Sequence, residues 1–177
     1  MAGVGNVVLR EITPRDSIED LTHFLHRGYR SLAEMGFRYF ASYQSPEQTL
    51  RRIVHATCLL ATLNDTLIGT ATLYLQAAGG HSRCAWYTQP GVAHFGQFAV
   101  EPALRKSGLG SYILGHLQRL AAVNGMRQLG LDTAEGATHL INFYSKRGYR
   151  FIEYVQWDVT NYRSMVMSKT LPDAQPT

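Results

Sequence analysis

The run Arg105-Lys106-Ser107-Gly108-Leu109-Gly110 sets two cations and two glycines at the opening of a periodic apolar helix. The first backbone N–H groups of a helix have no partners inside it, and the helix dipole favours negative charge there. Gly108 and Gly110 lack a Cβ, which lets an anion approach the main chain. Arg105 and Lys106 add charge-assisted contacts. The chemistry that these residue types suit is the holding of phosphate. The spacing excludes two familiar phosphate sites. Ile113 stands where a dinucleotide fingerprint needs its third glycine, and no Gly-Lys-Ser/Thr follows as in a Walker P-loop. By itself the hexapeptide fits equally well a strand–turn–helix connection with a solvated basic pair.

The neighbouring segments tip that balance. A strand-like run, residues 95–100, and a Glu101-Pro102 break precede the loop, and a helix is expected over residues 109–123. A short apolar strand at residues 129–132 and a second helix over residues 136–146 follow. The chain then reads Asn142-Phe143-Tyr144-Ser145-Lys146-Arg147-Gly148-Tyr149, with Gly148 placed for a left-handed helix end. The loop resembles the Gln/Arg-x-x-Gly-x-Gly/Ala pyrophosphate signature of the Gcn5-related N-acetyltransferase (GNAT) superfamily. The closing string resembles that family's second signature, a tyrosine followed by a few polar residues and Gly-Phe or Gly-Tyr. The resemblance covers residues 91–169 well and the N-terminal half by element order.

This resemblance implies acetyl-CoA as co-substrate, with its pyrophosphate on Arg105, Lys106, Ser107, Gly108, Leu109, Gly110 and Ser111. It also implies two splayed central strands, with the pantetheine arm paired to main-chain groups of Phe98, Ala99 and Val100. The matching tyrosine, Tyr144, is expected to donate a proton to the leaving thiolate. It shares a helical stripe with Ala137, Leu140 and Ile141, so a packing role accompanies the chemical one. The sequence departs from the family pattern at Ala137, where many members carry an asparagine, and at Leu140, where many carry an alanine. The asparagine contact to the cofactor arm is therefore not carried over, and Asn142 lies on another side of the helix.

An amine must lose a proton to attack a thioester, and an imidazole titrating near neutrality suits that task. His94 lies in the central strand, where some members of the superfamily place a glutamate base. A regular strand would point it to the same face as Gly96 and Phe98. A structural histidine, with water carrying the proton away, is the other route. The aromatic segments holding Tyr29, Phe37, Tyr39, Phe40 and Tyr43, and then Trp86 and Tyr87, are the expected walls of an acceptor pocket. No cysteine is placed to form an acyl-enzyme, so direct transfer in a ternary complex is the expected route. The acceptor is read as a small-molecule primary amine. A peptide or protein amine, a non-catalytic acyl-CoA-binding module and, more distantly, a nucleic-acid-binding module are the alternatives.

The elements that must position these groups read β-α-α-β-β-β-α-β-α-β-β, a mixed α/β sheet with helices on both faces. Thr13-Pro14 is a helix start, Ser45-Pro46-Glu47-Gln48 a capping box, and Asn64-Asp65-Thr66 a hairpin. Residues 1–170 are expected as one domain and residues 171–177 as a disordered tail. The chain has 177 residues, 45% hydrophobic and 17% charged, as a globular domain requires. Its net charge of +4 is scattered, which disfavours nucleic acid as the main partner. Cys58 reads as a buried free thiol and Cys84 as an inert surface one, with no metal-ligand spacing between them, whereas His23 and His26, three apart on a helix, have the spacing of half a metal site. His23 and His26 lack a third ligand. The sequence shows neither a signal-peptide pattern nor an apolar run long enough for a membrane helix, so a cytoplasmic protein is expected. The family resemblance allows a homodimer, for which no diagnostic pattern is visible.

Overall fold

The computed structural model describes residues 7–75 and 83–172. Among the described residues, seven strands and four α-helices follow one another in the expected order. They are β1 (Val7–Glu11), α1 (Ile18–Glu34), α2 (Pro46–Ile53), β2 (Thr57–Leu63), β3 (Thr66–Tyr74), β4 (Val92–Val100), α3 (Leu109–Val123), β5 (Gln128–Ala134), α4 (Thr138–Ser145), β6 (Arg150–Gln156) and β7 (Arg163–Thr170). The strand order is β1-β2-β3-β4-β5-β7-β6. β4 and β5 run parallel, and the other neighbours are antiparallel.

Alternation along the strands divides the core between two faces. Leu59, Ala61, Ala93, Phe95 and Leu129 meet Ile113, Leu117 and Tyr144 of α3 and α4. Cys58, Leu60 and Ala99 meet Leu21, Phe24, Leu25 and Ile53 of α1 and α2. Gly28 lets α1 lie directly on β4, since a Cβ there would stand 2.8 Å from that of Ala99.

Several elements differ from the sequence reading for local reasons. α1 begins after Ser17, whose hydroxyl accepts from the amide of Asp20, and not at Thr13. Asp16 holds the Thr13 amide and hydroxyl at 2.7 and 2.9 Å and pairs with Arg10, so the chain turns there before it coils. α1 also continues through Gly28 to Glu34 and ends at left-handed Gly36. The capping box at Ser45 forms as expected, and α2 stops at Ile53. The hairpin turns through Asn64 and Asp65, both with positive φ.

Cys84 is fully buried, with its thiol 3.4 Å from the Glu153 carboxylate. Burial pushes that thiol up to about 12. Leu171, assigned to the tail by sequence, is buried, and its amide donates to the Arg127 carbonyl. The remainder of that tail, residues 173–177, lies outside the described residues, as do residues 76–82 of the loop before β4. Among the described residues, no helix is long and apolar enough to cross a membrane.

Candidate active site

β4 carries an extra residue at Gln97, which sits at φ 49 opposite a register break in β3. A bulge of this kind exchanges the two side-chain rows of a strand. Before it, His94 and Gly96 face α2, and a Cβ on Gly96 would meet Arg52 and Tyr74. After it, Phe98 and Val100 face α3, against Gly110. His94 and Phe98 therefore lie on opposite faces, where a regular strand would have put them on one.

β4 and β5 pair only from Val92 to His94, opposite Gln128 to Gly130. Beyond that point the strands part, as the family resemblance implied. The gap leaves main-chain groups of β5 without a strand partner, and Tyr39 takes one of them. Its hydroxyl accepts from the Ala134 amide at 2.9 Å and contacts the Thr133 hydroxyl at 2.7 Å.

Two cavities open from the gap. One, of about 560 Å³, runs from Phe98, Ala99 and Val100 to the N-terminus of α3. Gly108 caps that helix in a left-handed conformation, φ 95, which disfavours a side chain although no atom crowds the position. Lys106 is left-handed too, at φ 68. The amides of Gly110 and Ser111 donate to no main-chain carbonyl among the described residues, so the loop presents free N–H donors. Of the expected phosphate contacts, Arg105, Lys106, Gly108, Gly110 and Ser111 line the cavity. Ser107 instead accepts from the Leu109 amide, and Leu109 is buried in the core.

Arg105 is partly engaged elsewhere. Its guanidinium donates to the Gly28 carbonyl at 2.8 Å and the Ser31 hydroxyl at 2.9 Å, tying the loop to α1. Arg147, to which the sequence reading assigns no role, supplies a cation from the other side. It donates to the Ser111 hydroxyl at 2.6 Å and lies 3.6 Å over the Phe143 ring. The i, i+4 spacing of Phe143 and Arg147 was the signal available for that placement.

Tyr144 lies on α4 in the wall of this cavity, with its ring edge-on to Phe95, Phe143 and Tyr149. Burial raises its pKa well above the ordinary phenol value, so the hydroxyl keeps its proton. Ala137 is buried beneath the start of α4, and Leu140 lines the cavity in place of a polar contact.

The second cavity, of about 690 Å³, opens on the other side of the gap. Tyr29, Tyr39, Phe40 and Tyr87 line it, as the sequence suggested, whereas Phe37, Tyr43 and Trp86 do not. Tyr74, Arg52, Trp157 and Tyr162 complete it, and the sequence does not single these out because they come from β3, α2 and the β6–β7 connection, far apart along the chain. Tyr29, Tyr39 and Asp132 belong to both cavities and mark where they meet. The Asp132 carboxylate accepts from the Trp157 indole at 2.9 Å and the Tyr87 hydroxyl at 3.3 Å.

His94 stands in this second cavity, sandwiched between Tyr87 and Tyr74 with ring centroids 4.0 and 4.8 Å away. Its Nδ1 is sealed from solvent without a hydrogen-bond partner. Burial, and then the charge of Arg52, lowers its pKa to about 4. The imidazole is therefore neutral at pH 7, but its titration lies well below the near-neutral range expected of the base. His26 bonds the Gln44 carbonyl at 2.8 Å.

Comparison with known proteins follows the same lines. The family model described as the acetyltransferase (GNAT) family matches residues 19–149. A curated relative from Bacillus subtilis (strain 168), S-(2-succino)cysteine N-acetyltransferase, is 28% identical over 136 residues, covering 74% of this chain and 77% of the relative. The PaiA N-acetyltransferase of Thermoplasma acidophilum, solved with coenzyme A, superposes with a TM-score of 0.71 at 16% identity, covering 93% and 99% of the two chains. The ribosomal-protein-S18-alanine N-acetyltransferase of Escherichia coli does so with a TM-score of 0.70 at 15% identity, covering 97% and 98%.

Proposed function

The chain belongs to the acetyltransferase (GNAT) family, and from that premise we propose that it moves the acetyl group of acetyl-CoA to a primary amine of a small molecule by direct transfer in a ternary complex. The observation that carries this reading is the pair of cavities meeting at Tyr29, Tyr39 and Asp132. A phosphate-suited helix end opens one, and aromatic walls close around the other. A walled cavity of this size suits a small acceptor, and the name of the Bacillus relative supports the same class.

In this mechanism the loop from Lys106 to Ser111, with Arg147, holds the pyrophosphate, and the gap beside Phe98, Ala99 and Val100 takes the pantetheine arm. The amine enters through the second cavity, and its nitrogen lone pair attacks the thioester carbonyl carbon. The carbon–sulfur bond then breaks, and the sulfur leaves with the proton of the Tyr144 hydroxyl. The proton displaced from nitrogen passes to water or to neutral His94, and the Tyr144 phenolate takes a proton back from water. No protein nucleophile takes part.

An acceptor panel of small amines, peptides and proteins tests the proposal, read by thiol release and product mass. An acetyl mass gain on small amines is expected. Acetylation confined to peptides or proteins would overturn the acceptor class. Absence of any acetyl-CoA-induced rise in thermal stability would overturn the cofactor assignment.

A further inference from the structure

We infer that the acceptor carries a carboxylate as well as its amine, held by Arg52 while the amine faces Asp132. This rests on the acetyl-transfer reading above. Three arginines line the second cavity. Two are already neutralised: Arg51 pairs with Glu47 and Arg83 with Asp158. Arg52 is half-buried and has no carboxylate partner among the described residues. A cation withdrawn from bulk water without a counter-ion is costly, and a bound anion relieves that cost.

The guanidinium is also held in place. It donates to Gln44 Oε1 at 2.5 Å and lies 5.3 Å over the Phe40 ring. Gln44 is fully buried and is itself fixed by Thr49 at 2.7 Å and by Gln97, the bulge residue, at 2.8 Å. Gln97 donates in turn to Thr72 at 3.0 Å. This polar chain leads from the sheet to Arg52 and takes one donor of its fork, and the Tyr74 hydroxyl beside it engages another. The remaining N–H groups can donate to a planar carboxylate.

Asp132 is the opposite charge in the same cavity. It makes no ion pair with Arg52 or with any other described residue, and its partners are neutral donors. One fixed cation and one fixed anion, unpaired with each other, are the complement of a zwitterion. Asp132 also lines the cofactor cavity, so the ammonium it attracts sits at the end where acetyl is delivered. The ligand class is thus an amino acid.

The test uses the purified protein, acetyl-CoA and the proteinogenic L-amino acids, each against its own carboxamide. The best amino acid should exceed its carboxamide in kcat/KM by about tenfold or more. Arg52→Gln should bring that ratio close to one, and Arg52→Lys should keep part of it. A ratio near one in wild type, or a ratio unchanged in Arg52→Gln, overturns the inference. If Arg52→Gln does not fold, the wild-type ratio still decides. Should no amine release thiol, the acetyl-transfer reading fails separately. Calorimetry of the same pairs with the CoA-loaded protein then decides the carboxylate claim, which falls if acid and amide bind alike.

Discussion

His94 ties stability to pH in a way that can be measured. Its folded-state pKa, about 4, lies below the ordinary histidine value of 6.5. The neutral ring is thus the form the fold favours. Its contribution is fully present above pH 6.5 and is lost as pH falls through the folded value near 4. A tenfold difference in proton affinity between the folded and unfolded states is worth ~1.36 kcal/mol. The whole effect is therefore about 3 kcal/mol, of which about 2 kcal/mol is lost between pH 7 and 5. Carboxylates begin to contribute only near the lower end of that range. The perturbation is His94→Phe, which keeps a ring between Tyr74 and Tyr87 and removes the titration. Urea unfolding of both proteins at pH 7, 6 and 5 gives the slopes. Wild type should lose about 2 kcal/mol more than the variant across this range. Parallel slopes would refute the claim that the sealed Nδ1 and the Arg52 charge hold the ring neutral. The same pKa has a kinetic corollary. A near-neutral rise in kcat/KM should survive in His94→Gln, because it then belongs to the substrate amine.

Other substitutions probe the remaining parts. Tyr144→Phe keeps the edge-on packing with Phe95 and Tyr149, and kcat should fall about tenfold or more with little change in acetyl-CoA affinity. Full activity would leave Tyr144 a packing residue. Gly108→Asp places negative charge at a left-handed position with open space around it, so the protein should fold and lose its acetyl-CoA thermal shift. An undiminished shift would remove the phosphate assignment. Gly28→Ala should cost about 1–3 kcal/mol in chemical unfolding, because its Cβ would lie 2.8 Å from that of Ala99 and α1 must retreat from β4. A loss below a few tenths of a kcal/mol would mean that α1 shifts freely.

The fold was legible wherever local chemistry decides. Periodicity and the Ser45 capping box gave α2 and α3, and the positive-φ pair Asn64-Asp65 gave the hairpin. The loop before α3 was legible because its glycines answer a backbone need. Other features depend on distant partners. The start of α1 turns on Asp16 meeting Arg10 across the edge of β1, which no helix-start pattern contains. Cys84 reads as a surface residue until Glu153 of β6 is seen beside it. The bulge takes its positive φ at Gln97 and not at the neighbouring Gly96, and regular alternation through both puts His94 on the wrong face. Nothing in the sequence singles out Arg52. Only the assembled cavity separates it from Arg51, one residue away and paired.

The positive φ at Gln97 also limits how β4 can change in length. In the proposed function, side chains before it face the acceptor and those after it face the cofactor, in opposite phase. Removing a single residue from the bulge would restore simple alternation and turn His94 and Phe98 to the same side, so both binding surfaces would be lost in one step. A change of two residues keeps the phase and moves only the spacing. Acceptor preference can drift upstream of Gln97 while the nucleotide side downstream stays fixed. In such a scaffold, new substrates are reached by substitution and rarely by insertion.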